Sequence, residues 1–187
     1  ITFTTNDTTV DATDLFDLDA KVDTFNTGSV TKITEVAGSI GVNVIAALNI
    51  VGNDVAVEVT GGISAADADK IADATSGVVT AAVADTASAL NAALLDATVG
   101  QTVVNAYTLT VSAGTVAATD LTGLDAKTSV AVDAALVGSI DGSSAEVVAA
   151  YAANTAGTIS GLGNETVGIT GTDATVANVA TINTATS

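Results

Sequence analysis

Short stretches of the chain alternate apolar residues with threonine or another polar residue. The alternation is clear in Tyr107 to Thr110, where each apolar side chain is followed by threonine. A period of two that is rich in Val, Ile and Thr is typical of β-strands, because successive side chains point to opposite faces of a sheet. We predict strands at seven places: residues 1–4, 30–33, 55–59, 78–83, 107–110, 130–140 and 166–169.

Alanine-rich segments with helical spacing lie between these predicted strands. Ser143, followed three residues later by Glu146, has the form of a capping box. The Thr-Asp pairs at 13–14, 119–120 and 172–173 place a capping residue and an acid where a helix would start, and the positive end of the helix dipole favours both. We expect helices to begin near residues 12, 38, 64, 86, 117, 142 and 172, at a mean spacing of about 27 residues.

The chain contains an internal repeat of 53 residues. Residues 12–21 and 118–127 are identical at eight of ten positions and lie 106 residues apart, and residues 65–74 lie midway between them. The predicted organisation is a single array over 1–187. It begins with a strand at 1–9 from a preceding repeat, and its repeats span approximately 10–62, 63–115, 116–168 and, in part, 169–187.

Equivalent positions of the three copies hold equivalent residues. One position is always acidic, and a position four residues later always holds a large apolar residue. The acidic residues are Asp14, Asp67 and Asp120, and the apolar residues are Leu18, Ile71 and Leu124. We interpret the apolar set as structural repeat positions that face a shared interior.

Each 53-residue period contains two strand–helix units of 26–27 residues. Strands that alternate with helices favour parallel pairing and right-handed crossovers. The predicted fold class is therefore α/β: a repeat solenoid with a parallel sheet on one face and Ala-rich helices on the other. An all-β solenoid and a different α/β packing remain as alternatives.

The composition excludes several kinds of chemistry. The chain has no Cys and no His, which excludes thiolate nucleophiles, imidazole bases, disulfides and ordinary zinc sites. Four lysines stand against 21 acidic residues, for a formal net charge of −17, so we expect no nucleic-acid partner. Polar residues interrupt the most apolar stretch, residues 40–59, and we therefore expect no membrane insertion.

The acidic repeat positions are the candidate metal ligands. Asp14, Asp67 and Asp120 could supply the oxygen ligands that Ca²⁺ requires, although neither an EF-hand loop nor a Gly-rich β-roll repeat is present. Helix capping on a solvated acidic face explains the same residues without a metal. The acids are spread evenly over the repeats, and we expect neither a catalytic residue nor a cofactor.

Residues 118–129, 147–153 and 159–167 resemble repeats in very large cyanobacterial cell-surface and exported proteins, of the type associated with swimming without flagella. The resemblance covers residues 116–187 best and the first copy moderately. The second copy departs most, because it has Ala68 where the other copies have leucine. The resemblance implies an exported, extracellular repeat array with a structural role.

The sequence thus predicts a non-enzymatic structural segment: a rod, spacer, surface layer or filament-forming scaffold of a secreted or cell-surface protein. Its expected partners are neighbouring repeats or identical subunits, joined end to end. The alternatives are an extracellular adhesion or binding module that depends on Ca²⁺ or carbohydrate, and a virion structural protein.

Overall fold

A computed structural model describes residues 2–21, 24–26, 29–36, 40–94, 104–172 and 174–186. The chain divides into two compact units. The first unit comprises Ile1–Val83 and Leu95–Tyr107, and the second comprises Ala84–Leu94 and Thr108–Ser187. Both units are α/β, and their strands pair in parallel.

In the first unit, four parallel strands lie side by side in the order β2-β4-β5-β6, and β1 pairs separately with β3. Helix α2 contacts both α1 and α3. The elements are β1 (Thr2–Thr4), β2 (Thr9–Asp11), α1 (Ala12–Asp19), β3 (Thr24–Asn26), β4 (Lys32–Val36), α2 (Ile40–Val51), β5 (Ala56–Ile63), α3 (Ala65–Ala74) and β6 (Val79–Asp85), the last of which runs two residues past the unit boundary.

In the second unit, three parallel strands lie in the order β7-β9-β11 and three more in the order β8-β10-β12. Its helices contact one another in chain order from α4 to α7. The elements are α4 (Ala87–Ala93), β7 (Ala106–Val111), β8 (Gly114–Ala117), α5 (Ala118–Asp125), β9 (Val132–Asp133), β10 (Val137–Gly142), α6 (Ser144–Ala156), β11 (Ile159–Ser160), β12 (Thr166–Ile169) and α7 (Val176–Ala185). The first two residues of β7, Ala106 and Tyr107, belong to the first unit.

Alternating side chains place an aliphatic ladder on the inner face of each set of strands. In the first unit, Val10, Ile33, Val57 and Val79 are register partners across β2, β4, β5 and β6, and the last three are almost fully buried. In the second unit, Val116 pairs with Ile140 and Ile140 with Val167. The interior is therefore built from stacked residues of the same chemical type.

The α/β class and the alternation of strands with helices agree with the sequence prediction. Six of the seven helices begin within two residues of the predicted starts, and the capping box between Ser143 and Glu146 is present. The strands at 107–110 and 166–169 are also confirmed, as β7 and β12.

Three details of the prediction are wrong. The strand expected at 130–140 is two strands, β9 and β10, separated by a turn that begins where Asp133 Oδ1 accepts the N–H of Ala135 at 3.0 Å. Helix α7 begins at Val176 and is capped by Thr175, four residues later than expected. The Thr-Asp pairs at 13–14 and 119–120 lie inside their helices, because the capping positions are Asp11 and Ala117. Asp173 lies outside the described residues.

Candidate functional site

The apolar face that the repeated helices share is the candidate functional site. Leu18, Ile71 and Leu124 occupy the seventh position of α1, α3 and α5, respectively. Ile71 and Leu124 are buried, with exposed fractions of 1% and 0%, and Leu18 is half-buried. The three predicted repeat positions thus lie on the same face of three different helices.

The first and fourth positions of the helices extend this apolar face. Both positions are buried in α1, α3, α4, α5 and α6. Four of these five helices have alanine at the first position, and α6 has Ser144. Because alanine and serine are small, they let the helix lie close to the strands beneath it, which is how a core with few aromatic residues reaches normal packing density. The stripe at positions one, four and seven follows the helical period.

Asparagine side chains connect neighbouring helices. Asn43 on α2 donates from Nδ2 to Oγ1 of Thr13 on α1, at 2.8 Å. Asn91 on α4 donates from Nδ2 to the carbonyl oxygen of Asp120 on α5, at 2.6 Å. In the third pair, Nδ2 of Asn178 on α7 lies 3.0 Å from Oγ of Ser144 on α6. The sequence analysis did not predict these three hydrogen bonds. The feature that could have indicated them is an asparagine within an Ala-rich helical segment.

A buried carboxylate joins the strands of the first unit to this helical layer. Glu35 on β4 is only 4% exposed and accepts a hydrogen bond from Thr13 Oγ1 at 2.9 Å. It also accepts the N–H of Val36 at 2.8 Å. Since Thr13 also binds Asn43, one hydrogen-bonded chain runs from α2 through α1 to β4. A buried polar group of this kind contributes to a defined packing only when its partners are present.

A second buried carboxylate fixes the loop between β11 and β12. Glu165 accepts a hydrogen bond from Tyr151 Oη at 3.0 Å and from the N–H of Gly163 at 2.8 and 2.9 Å. Burial, and next the hydrogen bond to Glu165, raises the pKa of Tyr151 well above its ordinary value, so the phenol remains a donor. Asn154 and Leu162 exchange two further hydrogen bonds between α6 and the same loop.

A buried phenol in the first unit is held in a similar way. Asn105 accepts the N–H of Val79 at 2.9 Å and donates to Tyr107 Oη at 3.0 Å. Tyr107 Oη lies 3.4 Å from the carbonyl oxygen of Ala68 on α3. Burial, followed by the negative charges of Asp69 and Asp73, raises the pKa of Tyr107 far above its usual range. These hydrogen bonds join β6, the segment before β7 and α3.

The three candidate calcium ligands lie on three different helices. Asp14, Asp67 and Asp120 are each the third residue of their helix. Asp67 accepts hydrogen bonds from Ser64 Oγ at 2.7 Å and from Lys70 Nζ at 3.2 Å, and these two contacts, in that order, lower its pKa. Over the residues that the structure describes, no group of three or more carboxylates is placed to hold a metal ion.

Two further findings bear on partners and relatives. No helix in the described part of the chain has the length and apolarity needed to cross a membrane. A scan of protein-family models, a search of curated proteins and a search of solved structures each found no match for this chain.

Proposed function

We propose that the chain is a structural repeat segment, an α/β solenoid that serves as a rod, spacer or surface layer of a secreted or cell-surface protein. The observation that carries the proposal is the recurrence of the same buried positions. The first and fourth residues of α1, α3 and α5 are all buried, although these helices are 53 residues apart along the chain. Recurring burial at a fixed period is what stacked, similar modules produce.

The contacts between elements support the same proposal. Neighbouring strands within a unit are parallel, and register partners such as Val132 and Ile159 are 27 residues apart. Consecutive helices contact each other within each unit, and asparagine amides join three of these pairs. Each module therefore contacts mainly the modules before and after it, which is the contact pattern of a repeat array.

The chemistry of the buried polar groups favours a structural role over catalysis. Glu35 and Glu165 use their carboxylate oxygens to accept hydrogen bonds from groups of the same unit. The net charge of −17 would keep an exported array soluble and discourage lateral association. The resemblance to repeats of giant cyanobacterial surface proteins supports an extracellular location.

Deletion of one whole period tests the solenoid. Removing residues 63–115 deletes one full period and joins Gly62 to Val116 with the repeats in register. Removing residues 63–102 deletes part of a period and joins Gly62 to Val103 with the repeats out of register. We expect the first variant to unfold cooperatively in urea, with an m-value smaller by roughly a quarter to a third, because less surface is buried. We expect the second variant to lack a cooperative transition. Equal loss of folding in both variants would contradict the proposal.

Labelling of intact cells tests the proposed location. An antiserum against the folded chain should bind the surface of unbroken cells of the source organism, and mild protease treatment of those cells should remove the signal. Signal that appears only after lysis would contradict a cell-surface role while leaving the solenoid proposal in place.

A further inference from the structure

The β12–α7 module, the last strand–helix pair of the second unit, exposes the first and fourth helix positions, which α1, α3, α4, α5 and α6 bury. Val176 and Val179 are the first and fourth residues of α7, with exposed fractions of 89% and 48%. The matching residues of α6 are Ser144 and Val147, and both are fully buried. Helix α7 therefore exposes apolar residues at two positions that are buried in the neighbouring helix α6.

The strand beneath α7 is exposed in the same way. In the described structure β12 pairs with β10 on one side and is the edge of its sheet. Val167 on β12 is half-buried, whereas its register partner Ile140 has no exposed surface. A groove of about 260 Å³ lies between β12 and α7, and its apolar lining includes Val167, Ile169, Val179 and Ile182.

The first unit carries a groove of similar size between β2 and α1. Its volume is about 250 Å³, and its apolar lining is formed by Val10, Leu15 and Leu18. Strand β2 pairs only with β4 among the described residues, so it is also an edge strand. Among the described residues, this module and the β12–α7 module thus each offer a strand edge without a partner, beside a groove that is lined by apolar and polar side chains.

We propose that the β2–α1 module of a second copy of this chain docks on the β12–α7 module, continuing the stack of modules from one molecule to the next. Helices α1 and α5 are closely similar, because residues 12–21 and 118–127 are identical at eight of ten positions. Helix α5 already packs between α4 and α6. A module of this sequence is therefore built to have a neighbour on each side, and α1 has a described neighbour, α2, on one side alone.

The interface joins two different surfaces, so it is heterologous and gives open chains or closed rings rather than an isologous dimer. Parallel strand addition supplies main-chain hydrogen bonds, and the two grooves supply apolar contact. The inference deepens the proposed function and depends on it. Different results would overturn the two proposals. Loss of folding in the in-register deletion variant overturns the solenoid, whereas an unmodified chain that folds but stays monomeric overturns only the docking.

Two variants that each block one surface test the docking. Val179→Asp places a charge in the β12–α7 groove, and Leu18→Lys blocks the β2–α1 groove. In sedimentation velocity the unmodified chain should form larger species as its concentration rises from micromolar to millimolar, and each variant should associate at least tenfold more weakly. A 1:1 mixture of the two variants should form a species with the mass of two copies and nothing larger, because one working surface remains on each molecule.

Controls separate docking from folding and from general stickiness. Leu136→Asp changes a residue that is 58% exposed in the turn before β10, outside both grooves, and should associate like the unmodified chain. Circular dichroism must show each variant folded; Val176→Asp, at a residue 89% exposed, replaces Val179→Asp if that variant unfolds. An unmodified chain that stays monomeric at every concentration overturns the proposal, and so does association that Leu136→Asp weakens as much as Val179→Asp.

Discussion

Replacing the same leucine in two copies of the repeat should have unequal effects on stability. Leu124 on α5 has no exposed surface, and Leu18 at the same position of α1 is half-buried beside an open groove. Leu124→Ala removes three carbon atoms, worth about 0.8 kcal/mol each when buried, and leaves a cavity, for a total of about 3 kcal/mol. Leu18→Ala removes atoms that are partly hydrated and leaves space that water fills, so we expect about 1 kcal/mol.

Urea unfolding followed by circular dichroism at 25 °C measures both values. Both substitutions should be made in the Val179→Asp background, so that association between copies does not cover Leu18. The midpoint should fall further for Leu124→Ala, with the m-value unchanged. If the two variants lose the same free energy of unfolding to within about 0.5 kcal/mol, the difference in burial between the two copies is wrong and the reasoning fails.

Three further predictions concern close packing, pH and calcium. Gly77→Ala should lower the free energy of unfolding by more than about 1 kcal/mol, the lower limit for overpacking, because a Cβ at Gly77 would collide with the carbonyl oxygen of Val55. As a control, Gly62→Ala should change the urea midpoint little, because a Cβ at Gly62 meets no atom within 4 Å. Hydrogen bonds from Ser64 and Ser143 lower the pKa of Asp67 and Glu146. The stability that these carboxylates provide is therefore present above their unfolded pKa values of about 4 and is lost as the pH falls through the lower, folded values. The stability lost in a D67N/E146Q variant should be seen at pH 7 in urea unfolding and should shrink as the pH falls through the folded values. Millimolar Ca²⁺ should leave the melting temperature unchanged and release no binding heat, because the candidate ligands lie on separate helices; a saturable heat would contradict this placement.

Sequence patterns predicted the elements that have a strong local signal. The alanine-rich helices carry an apolar stripe at the helical period, and Ser143 with Glu146 satisfies its own helix end. Strands β9 and β11, of two residues each, are too short for alternation to be recognised. The turn after Asp133 has neither Gly nor Pro in residues 134–136, so the sequence contained no turn signal that would divide the predicted strand in two.

The buried polar contacts could not be predicted because their partners are distant in sequence. Glu35 is buried at a strand position where alternation would place an apolar residue, and its partner Thr13 is 22 residues away. Asn91 reaches Asp120 over 29 residues, and an amide in a helix carries no local sign of which neighbour it will bind. The repeat predicts which positions are equivalent, but only the packing of the modules decides which polar groups meet.

The composition of this chain and its repetition have a common physical cause. A module of about 27 residues buries little apolar surface by itself, because its helix presents mainly alanine, valine and leucine. Burial stabilises a fold by about 25 cal/mol per Å² of apolar surface, so the gain from one module cannot offset the entropy lost on ordering its backbone. Stacking changes this balance, because each module then buries both of its sides against similar modules. Small buried residues such as Ala65 and Ala118 let the helices lie close to the strands. Close packing between neighbouring modules then requires that each module have the same helix-to-strand distance as the next. In the stacked array that we propose, stability belongs to the interfaces more than to the modules. The exposed valines of α7, Val176 and Val179, would therefore gain free energy from a further neighbour.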